Sequence, residues 1–140
     1  NKDCLFIATN RDSTLPFGEN VELPGAGAIV AAVSTAVSRE PLVIGKPETR
    51  LLDLIEKSSG MDRKRAIMIG DRLETDIWFG NKGNVKTCAV LTGIVQRQDL
   101  EELQKSHFEA QDQQALLIPH YIMESFGDIF KLLCMDGEQQ

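Results

Sequence analysis

The 140 residues contain few aromatics, 6% of the total, with one tryptophan and one tyrosine. A stacking platform for bases is therefore not indicated. Three cysteines, Cys4, Cys88 and Cys134, are odd in number and form no Cys-x-x-Cys pair, which argues against a disulfide framework or a zinc knot and predicts buried thiols. No apolar run approaches the roughly 20 residues of a bilayer helix, and no signal segment opens the chain. Membrane partners are not expected, and a cytoplasmic location is. The net charge is −6 and the basic residues are scattered, so nucleic-acid binding is not expected either. With 42% hydrophobic and 26% charged residues, the composition is that of a globular protein able to build a packed core. The chain opens on Asn1, next to an apolar run, and reads as a piece of a longer protein.

Cys4 to Ala8 predicts a short buried strand ending near Thr9, and Asn10 to Gly18 a loop rich in turn residues. Pro24-Gly25-Ala26-Gly27 begins a helix to Ser38, with Ile29, Ala32, Val33 and Val37 at helical spacing. Two glycines there resemble a dinucleotide fingerprint, but Val30 holds the third position, and a tight helix start explains them better. Pro41 to Gly45 predicts a strand, Glu48 to Ser59 a helix stopped by Gly60, and Arg65 to Gly70 a strand that delivers Asp71 to a loop. A helix over Leu73 to Phe79, a strand over Lys86 to Leu91, a helix over Arg97 to Ser106, a short strand at Tyr121-Ile122 and a helix over Glu124 to Leu133 complete the pattern. The Gln-rich stretch Phe108 to Leu117 is ambiguous, and Asp136 to Gln140 reads as a polar tail. From Pro41 onward strands and helices alternate, which predicts an α/β fold with a layered, mainly parallel sheet.

Two constellations carry chemistry. In Gly70-Asp71-Arg72-Leu73-Glu74-Thr75-Asp76, Asp71 stands at the C-terminal end of a strand, where open α/β sheets place ligands, and Asp76 can lean toward the same crevice. Hard carboxylate oxygens there suit magnesium. The plainer alternative is a helix cap at Asp71 and a solvated Asp76. In Gly45-Lys46-Pro47 a lysine ends a strand and could hold a phosphoryl oxygen; the plainer alternative is a solvated surface lysine.

A strand ending in Gly45-Lys46-Pro47, a helix, and a strand ending in Gly70-Asp71-Arg72-Leu73 followed by Thr75-Asp76-Ile77 resemble signature motifs of haloacid-dehalogenase-like phosphatases. With Phe6 to Asp12, Pro24 to Gly27 and Val90 to Gly93 added, the sequence is similar to the capped para-nitrophenylphosphatase, phosphoglycolate phosphatase and pyridoxal phosphatase branch, over about Cys4 to Gly93, with a weaker echo in Pro119 to Leu133. The resemblance implies the C-terminal end of an α/β cap at 1–40 and the C-terminal half of a Rossmann-like core at 41–140. It implies Lys46 as a catalytic residue bridging nucleophile and phosphate, Asp71 as a magnesium ligand and Asp76 as its support. Asn10 and Asp12 would face the substrate on the cap loop, or simply form an Asx turn that ends the strand. The implied reaction is magnesium-dependent hydrolysis of small phosphate monoesters through an aspartyl phosphate, with a phosphorylated metabolite as partner and a homodimer as the parent assembly.

The family's Asp-x-Asp nucleophile motif is not found at any strand end of this sequence. It is expected upstream, and the chain by itself is expected to be inactive. The alternative is a non-catalytic binding or dimerising module derived from such an enzyme. A receiver-type domain fits less well, because Lys46 precedes Asp71. Asn84 stands where relatives often have glycine, which a left-handed turn tolerates. His107 and His120 are isolated and receive no role; Trp78 and Phe79 are expected in the core.

Overall fold

The computed structural model describes residues 3–18, 21–107 and 114–135, and of 105–107 and 132–135 the backbone alone. The chain is mixed α/β, as expected, and divides into two compact units, Asn1–Leu51 and Leu52–Gln140. The first six residues of the Gln-rich stretch, the polar tail and the Cys134 side chain lie outside the described residues.

In the first unit, β1 (Ile7–Ala8) pairs in parallel with β4 (Leu42–Val43), while β2 (Thr14–Pro16) and β3 (Glu22–Pro24) form an antiparallel hairpin. The hairpin lies partly in the stretch expected to be loop; Pro16 and Pro24 mask its strands in the sequence, yet both are tolerated in a two-stranded ribbon, where each strand has a free edge. Helix α1 (Ala26–Val37) starts at Gly25 and ends at Ser38, which adopts the left-handed conformation. Gly25 and Gly27 pack directly on the backbone of Arg11, Asp12 and Ser13, so close that a Cβ at either would overlap a carbonyl. That packing accounts for Pro24-Gly25-Ala26-Gly27 without a nucleotide.

The strand of Pro41 to Gly45 was expected to open the core sheet. It pairs instead with β1, so Lys46 and Asp71 follow strands of different sheets. The hydrogen bonds are unambiguous: the Leu42 N–H donates to the Phe6 carbonyl at 2.8 Å and the Ile44 N–H to Ala8 at 3.0 Å.

The second unit holds a parallel three-stranded sheet in the order β5 (Ile67–Gly70), β6 (Lys86–Val90) and β7 (Tyr121–Met123). Helix α2 (Arg50–Ser59) leads into it and stops at Gly60, which takes φ +69°. Its Leu52 packs with Phe79 and Val85. Leu73, Ile77, Ala89, Val95 and Leu100 form a second cluster around β6, the strand that is buried from Thr87 to Val90. After Asp71 the chain makes a wide π-type turn over Leu73–Ile77 and continues as α3 (Trp78–Lys82), where a single helix was expected. Asn84 follows with φ +56°, the left-handed conformation anticipated for it. Helices α4 (Arg97–His107) and α5 (Gly127–Met135) complete the unit. An acid three residues beyond the donor closes each start: Asp99 accepts from the Gln96 N–H at 2.8 Å, and Asp128 from the Ser125 N–H at 2.9 Å. Cys88 is buried, and burial pushes its thiol pKa up, whereas Cys4 is exposed, contrary to expectation, because β1 is only two residues long and begins after it.

Candidate functional site

An apolar strand with buried neighbours must end where its backbone groups can find other partners, and β5 ends at Gly70. The next carboxylate, Asp71, meets the loop that leaves β6. Its Oδ2 accepts the Ile94 N–H at 3.1 Å and its carbonyl accepts the Val95 N–H at 2.9 Å. Gly93 lies against the same carboxylate, and a Cβ there would overlap it. Two adjacent parallel strand ends thus grip one acid.

Asp76 is only 4% exposed. The π-type turn is what folds it back: the Ile77 N–H reaches the Arg72 carbonyl at 3.3 Å, five residues behind, and the widened turn swings the Asp76 carboxylate under the loop. Its Oδ2 accepts two backbone N–H groups, from Asp71 and Arg72, each at 3.2 Å. Gly70 leaves room for that carboxylate, which a Cβ would displace. Asp76 therefore holds the backbone that presents Asp71, and it is not a solvated residue. Asp71 opens on a cleft of about 450 Å³ also lined by Arg72, Glu74, Ile94, Asp99 and Glu102.

Lys46 lies in the first unit. Gly45 sits against the Thr9 carbonyl, so the end of β4 abuts the end of β1, and the Glu48 N–H closes a turn onto the Gly45 carbonyl at 3.0 Å. The Lys46 side chain is exposed, and the Lys46–Pro47 peptide is cis. Asn10 and Asp12 follow the neighbouring strand. The Asn10 Oδ1 accepts the Asp12 N–H at 3.1 Å, which is the Asx turn weighed for them, and the Asp12 carbonyl accepts from Gly27 at 2.9 Å. The structure brings Lys46 and Asn10 to one end of the β1–β4 pair, and Asp71 and Asp76 to one end of β5.

A divalent ion that prefers oxygen and keeps several waters is bound by one or two protein carboxylates, and Asp71 beside its cleft fits that demand. Asp76 fits a supporting place, since one of its oxygens is already committed to backbone N–H groups. Among the described residues no group of three or more His, Cys, Asp or Glu could enclose a metal by itself.

The HAD-hydrolase-like family matches residues 43–128, a span that contains Lys46, Asp71 and Asp76. Phosphoglycolate phosphatase 2 of Arabidopsis thaliana is 41% identical over 133 residues, which cover 95% of this chain and 41% of its own. The p-nitrophenyl phosphatase from Archaeoglobus fulgidus shares the fold over 94% of this chain and 47% of its own, with a TM-score of 0.73 and 29% identity. The glycerol phosphate phosphatase from Mycobacterium tuberculosis, solved in complex with calcium, covers 89% of this chain with 33% of its own at a TM-score of 0.70 and 33% identity. The chain spans about two fifths of the length of the curated relatives it matches. Sequence reasoning missed the Asp71 clasp by Ile94 and Val95; the glycine at 93, three residues after the end of β6, was its available signal. With the family matching more than half of the residues and the fold shared with solved phosphatases, this chain belongs to the HAD-hydrolase-like family.

Proposed function

We propose that the protein to which these residues belong is a magnesium-dependent phosphatase of small phosphate monoesters, of the phosphoglycolate or 4-nitrophenyl phosphate type. The observation that carries this reading is the preorganised Asp71, gripped by the Ile94 N–H and backed by Asp76 at the end of a parallel strand. Magnesium, when bound, supplies positive charge against the anionic oxygens of the phosphoryl group. Asp71 is the carboxylate that holds it, and Asp76 fixes the loop so that no reorganisation is needed on binding. Lys46 brings an ammonium group to the phosphoryl oxygens and to the attacking carboxylate, lowering the cost of crowding anions together. That carboxylate, an aspartate forming the aspartyl phosphate, is assigned to a part of the protein outside this sequence.

The end of the cap lies within the first unit in this reading, with its boundary near Arg39–Pro41 and β4 paired back onto β1. Asn10 and Asp12 then lie on the cap loop as substrate contacts, with the Asx turn setting their direction. A cytoplasmic location and a homodimer of the whole protein belong to the same proposal; among the described residues no helix is long and apolar enough to cross a membrane. The test uses the full-length protein with 4-nitrophenyl phosphate and phosphoglycolate in magnesium. Asp71→Asn and Lys46→Ala are each expected to lower kcat by about 100-fold or more, the usual effect of removing a group that stabilises transition-state charge. Undiminished turnover in either variant overturns the role given to that residue.

A further inference from the structure

The second unit has another cleft, of about 610 Å³, that the phosphatase chemistry leaves unused. It opens at the opposite ends of the strands: Lys86 starts β6, and Arg63 and Lys64 precede β5, whereas Asp71 follows β5. Four strand residues separate the two rims, about 13 Å at the usual rise.

Every charged residue lining this cleft among the described residues is basic, in a chain of net charge −6. Arg63 is already committed. Its guanidinium pairs with Asp53 at 2.5 Å and Glu56 at 2.9 Å and donates to the Gly83 carbonyl at 3.1 Å. The Lys64 and Lys86 side chains, both on exposed residues, make no ion pair among the described residues. His120 adds an imidazole ring to the lining. The His120 Nδ1 lies 2.9 Å from the Thr87 Oγ1 and 3.3 Å from the Thr87 backbone nitrogen, so that edge of the ring is taken up by Thr87. The ring is pinned by Thr87, whose Oγ1 accepts the His120 N–H at 3.1 Å and donates to the Asn81 Oδ1 at 3.1 Å. Asn81 is in turn spent on the Leu116 and Ile118 carbonyls. Val85, Ile118 and Pro119 give the cleft an apolar wall.

We infer that this cleft binds a phosphate-bearing polyanion, held by Lys64 and Lys86 beside the His120 ring. Two uncommitted ammonium groups supply point charges that suit phosphate, and the pinned His120 ring lines the same cleft. Burial, and then repulsion from Lys86, lower the His120 pKa, and Arg63 and Lys64 add further positive charge around the cleft. An anion bound there screens Lys86 and moves His120 back up.

The chain has two histidines, His107 and His120, so imidazole NMR reads the site directly. Inorganic pyrophosphate is titrated into the chain in EDTA, against chloride at equal ionic strength. The His120 signals are expected to move saturably, with half-saturation at or below about 1 mM. The Lys64→Gln/Lys86→Gln double variant is expected to weaken binding by about tenfold or more, whereas Asp71→Asn leaves it unchanged. ADP in place of pyrophosphate separates the sources: tighter binding assigns the anion to a nucleotide that also uses the apolar wall, and equal binding to free phosphate anions. No movement of His120, the same movement with chloride, or a double variant that titrates like the parent overturns the proposal.

Discussion

In the Asn1–Leu51 unit α1 buries none of its twelve residues and Ile29 is 70% exposed, whereas in the Leu52–Gln140 unit Ile77, Thr87 and Cys88 are fully enclosed. The first unit is shaped by the main chain. Its strands touch through backbone hydrogen bonds, and Gly25, Gly27 and Gly45 let segments approach where a side chain would not fit. The second unit is shaped by packed side chains around β6, and its acids are held by backbone N–H groups. Both units leave large apolar residues on the outside, Ile29 and Phe130 each at 70%, but the clusters of buried apolar side chains lie in the second.

The sharpest way to break this contrast is a pair of truncations. Ile77→Ala should cost about 2–5 kcal/mol in urea unfolding, as buried isoleucine truncations do. Ile29→Ala should change stability by no more than about 0.5 kcal/mol, and equal losses would show that the first unit also has a side-chain core. A smaller effect belongs to Asp76→Ala, which strips two backbone donors of their acceptor and should cost about 1–3 kcal/mol. Hydrogen exchange at the Asp71 and Arg72 amides should quicken, while exchange at Ala8 and Ile44 in the first unit stays as it was. Unaltered protection at Asp71 would mean that Asp76 does not hold the loop.

The smallest effect is a pH dependence confined to the second unit. The folded state lowers the His120 pKa, mainly by burial and then through Lys86, so the unfolded chain binds more protons in the intervening window. The contribution to stability is complete above the unfolded value of about 6.5 and is lost as pH falls through the folded one. Melting curves of the wild type should show this decline and those of His120→Gln a shallower one. Identical slopes would remove His120 as the cause.

Much of this architecture was legible in the residues. The period of Ile29, Ala32, Val33 and Val37 announced α1, Gly60 its neighbour's stop, and the apolar run to Gly70 placed Asp71 at a strand end. The hairpin of β2 and β3 was not legible, because three-residue strands bearing proline carry no alternation to read. Nor was the clasp of His120 by Thr87, whose partners lie 33 residues apart and whose types occur equally on any surface.

What the amino-acid order determined alone was local: the strand and helix segments, the glycine punctuation and the identity of the residues at the strand ends. Those follow from periodicity and Cβ sterics, which act over a few residues. Only tertiary structure decided that β4 joins β1 instead of β5, that Asp76 turns inward to hold the backbone beneath Asp71, and that Thr87 clasps His120. Each depends on which distant hydrogen-bonding group is left without a partner once the chain has folded, and no short window of sequence contains that information.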